Sequence, residues 1–594
     1  MQKKEKEKEE KTTGNFYLKS IINNIPKFFW NVVKHTFIFL ILFTIGIYFL
    51  MQLPSFQNYA AKKATEFLSK ELKSEVSVGR IRITFFQSVV IEDLLVRDRQ
   101  QDTLLNIGQL KATLDGGFFD LLDGKINITS AYIKDLKGHL VKTCPDFNNN
   151  YQFLINYFEN GHPDSLFSRP SGKKTAIKLN FKDIDLRKVN FDYTDKYVGK
   201  KLFASFDRLS TDFNEFSIDS NLFLLNKLNI DLPIFYIEKI KPEKCNVLHL
   251  EDPYAALIAE QRKKRPPKPD LHVEAQYISI EEGKFSFHDY RWPPIKAHNG
   301  KVLDFSNIDL NNINIGLESV IFDGKTVSAS LSQLAVKTGT PFNINDFNAD
   351  RVSYSPNEIS IEKFALTTDN SHLEDSLRLS YQDMEDFQDY VNKVKMTGHF
   401  TNSQVSVKDI MVFDSKLSNI DFLIKNKNND LHLEGNIYGT VNNLRGKQAK
   451  ISIGNYMTLE SNFSLQDITK IDEATLNLSV HSLKTNANGL ENIIPDFKAP
   501  KELYKLGNIT YSGKLDGFIL DFVTYGKLKS SQGNGNLDLH LNIRDGIKNA
   551  KYSGLLQLDK VNVGNIIDNP DFGTLSASIA IKDGKSFLPE SIIS

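Results

Sequence analysis

The residues that could carry out chemistry in this 594-residue chain are few and isolated. His288 and Asp289 are adjacent, but the alternating sequence around them is typical of a strand end at a surface. His432 and His540 occupy polar positions of alternating stretches, and the carboxylates lack the close pairing that acid–base catalysis needs. The sequence contains no nucleophile elbow, Walker loop, zincin helix, EF-hand loop or Gly-rich dinucleotide turn. It therefore predicts no catalytic residue, no metal site and no cofactor.

Two cysteines and one basic cluster are the other candidates for a site. Cys144 and Cys245 flank irregular segments and could pair outside the cytoplasm, although two cysteines alone do not define a disulfide. The RKKR run, Arg262–Arg265, could contact lipid phosphate or an acidic partner, but such a run is more often a solvated loop. The 73 basic and 73 acidic residues cancel, so no basic field indicates a nucleic-acid partner.

An uncharged apolar run at residues 36–51 predicts a membrane anchor. Extended to residues 32–53, it is long enough to cross about 30 Å of hydrocarbon. A cleaved secretory signal is the rival interpretation, but no small-x-small site precedes Pro54; a buried helix of a soluble core is the other. The residues expected in the membrane are Phe37, Phe39, Leu40, Leu42, Phe43, Ile45, Ile47 and Leu50.

The charges before this run predict its direction. Lysines stand at 11, 19, 27 and 34, and no acidic residue lies between the first of them and the span. The positive-inside rule then places residues 1–31 in the cytoplasm and the rest of the chain on the other side of the membrane.

An amphipathic helix is predicted at 55–73, with Ser55 as its cap. Its apolar side could pack on a sheet or lie on the bilayer surface, and both interpretations stay open. The apolar residues at helical spacing are Phe56, Tyr59, Ala60, Ala64, Phe67, Leu68 and Leu72.

From Val76 onward the apolar period changes to two, which is typical of antiparallel strands with one apolar and one wet face. Gly79 is predicted to form a bulge. Four Asp-Gly dipeptides, at 123–124, 323–324, 545–546 and 583–584, predict hairpin turns and a long meander of sequence neighbours. The alternating runs are Ile126–Ile128, Leu179–Phe181, Val189–Tyr193, Ile313–Leu317, Val405–Val407, Leu431–Leu433, Leu476–Val480, Leu537–Ile543 and Leu575–Ile581.

Two irregular inserts divide the alternating sequence. Residues 143–175 are predicted to hold a short helix, and residues 242–270 a helical turn and a basic, proline-rich connector. The β segments are then 76–142, 176–241 and 271–594. Ile184–Asp192 and Ile278–Phe287 share a pattern of two alternations, a polar kink and two more alternations, which suits an elongated repeat architecture.

A sheet this long cannot leave its apolar face in water. It could pack into closed sandwiches, or it could curl into a groove lined by lipid; the lack of long helices and of linkers favours the groove. The predicted fold is mainly β: a single N-terminal transmembrane helix followed by a long curled antiparallel sheet with short helical inserts. The candidate groove residues are Val405, Val407, Leu431, Leu433, Leu476, Leu478, Val480, Leu537, Leu539 and Leu541.

Short motifs between residues 35 and 200 resemble, in their order, the start of the TamB/AsmA-like family. The motifs are Leu53-Pro54, Val76–Ile83 (VSVGRIRI), Asp102–Leu105 (DTLL), Phe118–Ile128 (FFDLLDGKINI) and Asn150–Leu154 (NYQFL).

The resemblance implies a single-pass inner-membrane protein of a Gram-negative envelope, with its body in the periplasm. It implies a β-taco groove that moves phospholipid towards the outer membrane. The alternative is a subunit of the translocation and assembly module that acts as a scaffold for outer-membrane proteins; an enzyme is a third, disfavoured class. Family members are longer and end in a β domain that docks a BamA/TamA-like barrel. No segment here matches that ending, so the chain is expected to be incomplete at its C-terminus, with barrel docking left to a part not present.

Overall fold

The chain is mainly β, and in the part that the structure describes 24 strands belong to one sheet. The structure is a computed structural model that describes residues 30, 32–84, 87–116, 125–142, 149–154, 176–218, 220–243, 269–291, 302–304, 306–413, 421–470, 472–493, 497–546 and 549–585. Cys144, Cys245 and Arg262–Arg265 lie outside these residues, as do most of the N-terminal tail and most of both predicted inserts.

The first helix, α1 (Val32–Gln52), coincides with the predicted span. Its mean hydropathy is 1.9, and the apolar stretch that could span a membrane is not buried within the protein. Among the described residues it is the one helix long and apolar enough to cross a membrane. All eight residues expected in the membrane lie on it, and most of their side chains are exposed. Its direction across a membrane stays a prediction.

The second helix, α2 (Pro54–Leu72), confirms the predicted amphipathic segment but not its cap. Leu53 is the N-cap residue and Pro54 opens the helix, because the fixed φ of proline suits the first helical position. Ser55 is therefore inside the helix. Gln57, Ala61 and Leu72 are the buried positions. Three residues of the predicted apolar side, Phe56, Tyr59 and Phe67, are exposed.

The chain divides into two compact units. The first comprises residues 1–139 and 150–181, and the second comprises residues 140–149 and 182–594. The first unit contains α1, α2 and an antiparallel meander. Its strands are β1 (Val76–Thr84), β2 (Ser88–Arg97), β3 (Thr103–Leu114) and most of β4 (Lys125–Lys142).

Gly79 does not form the predicted bulge, since the register of β1 against β2 is constant on both sides of it. The irregular residue is on the neighbouring strand, where Asp93 has a φ of 54°. A Cβ at Gly79 would lie 3.0 Å from the Asp93 Cβ. Glycine is needed here because the left-handed backbone of Asp93 brings its side chain over the facing strand.

The second unit contains the long remainder of the sheet. Its strands are β5 (Ala176–Asp195), β6 (Lys200–Ser217), β7 (Leu222–Asp231), β8 (Ile234–Lys239), β9 (His272–Asp289), β10 (Asn307–Asp323), β11 (Thr326–Lys337), β12 (Ile344–Ser355), β13 (Glu358–Thr368), β14 (His372–Ser380), β15 (Lys395–Ser406), β16 (Asp430–Thr440), β17 (Asn443–Ile453), β18 (Met457–Gln466), β19 (Thr475–Thr485), β20 (Ile509–Phe518), β21 (Asp521–Ser530), β22 (Gly533–Asn542), β23 (Lys551–Asn562) and β24 (Thr574–Lys585).

The meander of sequence neighbours is confirmed from β9 to β24 but interrupted before it. β7 and β8 together pair antiparallel with β6, whereas β9 runs parallel to both of them. A parallel neighbour needs a crossover connection of a dozen or more residues. The stretch from 240 to 271 is long enough to provide it, so β9 starts at the end of the sheet where β7 starts.

The Asp-Gly turn predictions have mixed outcomes. Asp323 lies opposite Thr326 in a tight β10–β11 hairpin, and Asp545-Gly546 lies between β22 and β23, so both are confirmed as turns. Asp583-Gly584 is wrong as a turn, because Gly584 is inside β24 and faces Tyr552. Asp123-Gly124 lies outside the described residues.

The polar kinks predicted in the two similar segments are confirmed. Lys188 in β5 and Glu282 in β9 both have a φ of 52°, although each lies in the middle of a strand. Single left-handed residues recur in this way across the unit, and many coincide with register shifts between strands. The long strands are therefore bent at intervals by bulges.

Short helices follow β15, β19 and β23 at one edge of the sheet. Between β14 and β15 lie a 3-10 helix (Met384–Asp389) and α3 (Tyr390–Lys393). The helices at the edge are α4 (Val407–Phe413), α5 (Asp421–Asn426), α6 (Ala487–Ile493), α7 (Lys501–Lys505) and α8 (Val563–Ile566), and each lies next to the following one. Val407 thus opens a helix, so the predicted strand run Val405–Val407 ends one residue early.

Candidate functional site

Nine of the ten candidate groove residues share one face of the sheet. β-strand partners directly opposite each other point to the same side, as do residues two apart in a strand. Val405 lies opposite Leu431, and Leu433 lies opposite Ile451 of β17. The exception is Val407, which is fully buried at the start of α4.

Three candidates in β19 align with three candidates in β22 across the two intervening strands. Leu478 lies opposite Leu515, Leu515 opposite Thr524, and Thr524 opposite Leu539. The neighbouring rows match in the same way. Leu476 is joined to Leu541 through Gly517 and Phe522, and Val480 is joined to Leu537 through Gly513 and Gly526.

The row through Leu478 and Leu539, here called the central row, extends from β17 to β24. Its residues are Gly446, Phe463, Leu478, Leu515, Thr524, Leu539, Gly554 and Ile581. At a strand spacing of ~4.8 Å the central row is about 34 Å long. An acyl chain occupies about half of a hydrocarbon core of ~30 Å, so the central row is longer than one such chain.

Aromatic rings lie over glycines on this face. A Cβ at Gly446 would overlap the Phe463 ring, and a Cβ at Gly526 would come within 2.7 Å of the Tyr511 ring. The rings cover the backbone where the row would otherwise be interrupted by a residue without a side chain. The apolar surface therefore continues past Gly446 and Gly526.

The one polar side chain of the central row, Thr524, is satisfied within the face. The Tyr511 and Thr524 hydroxyls are hydrogen-bonded at 2.7 Å, and the Tyr511 hydroxyl also donates to the Lys514 carbonyl at 3.1 Å. Burial raises the pKa of Tyr511 above its ordinary value of 10.0. The phenol is thus neutral at ordinary pH and adds no charge to the face.

Side chains on this face are only partly covered. Of the nine candidates that share it, Val480 is buried, and each of the others keeps part of its surface exposed. Residues in the interior between two packed sheets are normally buried completely. On β24 the exposure increases, with Leu575 and Ile579 42% and 39% exposed.

The same apolar face extends into the middle of the unit. A cluster around Leu331, Ala349, Phe364 and Phe400 collects partly buried side chains from β10 to β16, and these include Leu433 and Ile437. Because Leu433 also lies opposite Ile451, this cluster joins the rows of β17 to β24.

The opposite face of the same strands is polar. His432 and His540 are exposed there, as predicted, and His540 lies 2.7 Å from the Asp521 carboxylate. Lys450 pairs with Glu434 at 3.3 Å. The two faces of β16 to β24 therefore differ sharply in polarity.

His288 and Asp289 do not act as a pair. Asp289 is buried and contacts the Arg291 guanidinium at 2.7 Å, and this hydrogen bond lowers the pKa of the Asp289 carboxyl. His288 faces Asp309 instead, at 3.3 Å. Within the described residues, no group of three or more His, Cys, Asp or Glu side chains is placed to hold a metal ion.

Sequence reasoning missed several residues of the face. Phe463, Leu515 and Phe522 lie in the rows, and the period-two pattern of their strands could have identified them. Gly446 and Gly526 hide the rows in the sequence, because the aromatic cover at these positions comes from the neighbouring strand.

The comparisons with known proteins leave the chain without an assigned family. No family model matches it, and neither the curated proteins nor the solved structures include a match.

Proposed function

We propose that this protein is anchored in the inner membrane by α1 and moves phospholipid along the apolar face of its sheet, through the periplasm towards the outer membrane. The observation that carries the proposal is the central row, whose partly exposed apolar side chains are those of Phe463, Leu478, Leu515, Leu539 and Ile581. Exposed apolar surface of this extent requires a partner. The resemblance of residues 35–200 to the TamB/AsmA-like family supports the same function.

An acyl chain fits this surface better than a compact ligand does. The central row offers no hydrogen-bonding side chain beyond Thr524, whose hydroxyl is already bonded to that of Tyr511. A site for a polar small molecule would combine apolar walls with convergent polar groups. A uniform apolar strip instead allows a hydrocarbon chain to slide without losing a specific contact.

The test is purification of the full chain in detergent followed by mass spectrometry of bound lipid and a transfer assay. Donor and acceptor vesicles would carry a fluorescent phospholipid and its quencher. The proposal expects co-purified phospholipid and transfer that depends on the protein. Protein free of lipid that leaves the transfer rate at background would refute it.

A scaffold for outer-membrane protein assembly is the second candidate, favoured by β24. Among the described strands β24 pairs on one side only, with β23, and its residues are mostly exposed. An incoming strand could add to such an edge by main-chain hydrogen bonds. Crosslinkers placed along β24 would then capture unfolded barrel chains; adducts with lipid alone would exclude this candidate.

A further inference from the structure

Helix α2 has two sides of different composition, and one of them packs on the sheet. Ala61 and Leu72 are buried against the first unit. The Thr65 hydroxyl accepts a hydrogen bond from the Val78 backbone N–H at 3.1 Å, and the Ser69 hydroxyl accepts one from the Val76 N–H at 3.0 Å. Small side chains thus let the helix approach β1 closely, and the two hydroxyls accept hydrogen bonds from backbone N–H groups at the edge of that strand.

The other side of α2 carries aromatic and basic residues that the sheet does not cover. Phe56, Tyr59 and Phe67 are 40%, 61% and 55% exposed. With Lys63 and Lys70, they fall within about 80° of helix circumference at 3.6 residues per turn. Lys63 is ion-paired there with Glu66 at 2.8 Å, so the lysines outside this pair are Lys70 and the neighbouring Lys62. Three rings held in water on one side of a helix are an unpartnered apolar strip.

The position of this strip is fixed by its connection to α1. Leu53 is the one residue between the two helices. Gln52, at the end of α1, donates a hydrogen bond to the Ile83 carbonyl of β1 at 2.8 Å, and Met51 is buried. The start of α2 and the first strand are therefore held at the end of the apolar helix.

We infer that the outer side of α2, formed by Phe56, Tyr59, Lys63, Phe67 and Lys70, lies in the headgroup layer of the membrane and binds anionic phospholipid. Aromatic rings with lysines are the composition of helices that lie at a membrane interface. The inference rests on the membrane anchoring in the proposed function. As a consequence, the sheet begins at the membrane surface, because one side of α2 packs on β1 and the other side contacts the headgroups.

The position at which the aromatic strip begins favours contact with the headgroup layer over contact with a second protein. Phe56 follows the end of α1 by four positions, so with α1 in a bilayer it lies next to the hydrocarbon boundary. Lys62 is exposed between the two sides and adds to the basic charge that anionic lipid attracts. A protein partner would have to displace lipid from this depth.

The test uses tryptophan fluorescence of the full chain reconstituted in vesicles. Tyr59→Trp and Phe67→Trp report on the outer side of α2, and Tyr525→Trp, an exposed aromatic on the polar face of the sheet, is the matched control. Each signal is corrected for the chain's two natural tryptophans. Insertion into the vesicle should blue-shift the α2 reporters, and lipids brominated near the headgroup should quench them, while the control stays unchanged in both respects.

A second measurement separates failure of this inference from failure of the anchor. Carbonate extraction shows whether the protein is integral to the vesicle. Protein that resists extraction while its α2 reporters stay unquenched overturns the inference and leaves the anchor intact. Protein that carbonate releases overturns both. The α2 reporters should be quenched more in vesicles that contain phosphatidylglycerol than in vesicles of phosphatidylcholine alone. The double substitution Lys62→Glu with Lys70→Glu should abolish this difference. A difference of unchanged size would refute anionic-lipid binding.

Discussion

Leu478 in β19 and Leu539 in β22 lie in the same row of the sheet, three strands apart, with Leu515 and Thr524 between them. The two residues do not contact each other, but the cross-strand pairs between them place both on the same apolar strip. The lipid path that we propose follows the partly exposed side chains of this strip.

A positive charge in this row should block lipid transfer. Leu478→Lys places an ammonium group on the apolar strip, where an acyl chain could pass it only by desolvating it. Asn477→Lys, one residue away on the exposed polar face, is the control and should transfer lipid normally. Transfer between vesicles measures both. Equal rates for the two variants, at equal fold content by circular dichroism, would count against the conduit.

The part of this face that could be predicted is the part whose strands show a clear alternation of apolar and polar residues. The alternation in Leu476–Val480 and Leu537–Leu541 identified both strands and their common face, since period-two sequence fixes which side chains share a side. The prediction of Val407 as a strand residue of the groove was wrong, because α4 begins immediately after Ser406. Two alternating valines do not distinguish a strand from the first residue of a helix.

Other features depend on contacts far apart in the sequence. The parallel pairing of β7 and β8 with β9 requires the chain to return along the sheet, and no local pattern encodes that direction. The Gly79 prediction failed because the left-handed residue, Asp93, is on the facing strand. The exposed aromatic side of α2 could not be predicted, because helical spacing alone does not say which side the sheet covers.

The contact between Gly446 and Phe463 should be sensitive to a single methyl group. Gly446→Ala forces the Phe463 ring off the sheet, and overpacking of this kind typically costs about 1–3 kcal/mol. Hydrogen exchange of the β17 and β18 amides should show the loss as faster local opening. Gly573→Ala, with no atom within 4 Å of the new Cβ, is the control. Adding Phe463→Leu should recover part of the loss.

The buried Asp409 carboxylate should be required for the seating of α4. It accepts hydrogen bonds from the Thr368 hydroxyl at 2.5 Å, the Ser371 hydroxyl at 2.6 Å and the Asn370 amide at 2.8 Å. Asp409→Ala removes the acceptor of these hydrogen bonds, and a buried donor left unsatisfied costs about 1–3 kcal/mol. Hydrogen exchange should quicken in α4 and in the β13–β14 turn. Asp350→Ala, at an exposed ion pair with Lys363, should leave exchange nearly unchanged.

Stability at high pH should depend on Tyr511. Its pKa is raised in the folded protein because the phenol is buried, so the folded state holds this proton more tightly than the unfolded state does. The stabilisation is present below pH 10.0 and is lost as the pH rises through the folded-state pKa. The urea midpoint should therefore fall between about pH 8 and about pH 11 less steeply in Tyr511→Phe than in the natural protein. Identical slopes would contradict the burial of this hydroxyl.

Photocrosslinking along the central row is the most direct test of lipid conduction. A photoreactive amino acid would replace Phe463, Leu478, Leu515 or Leu539 in turn, and Asn477, Lys514 or Asp538 on the opposite face would serve as controls. In cells, the account predicts phospholipid adducts at every row position and none at the controls. Adducts absent from the row, or equally frequent on both faces, would contradict it.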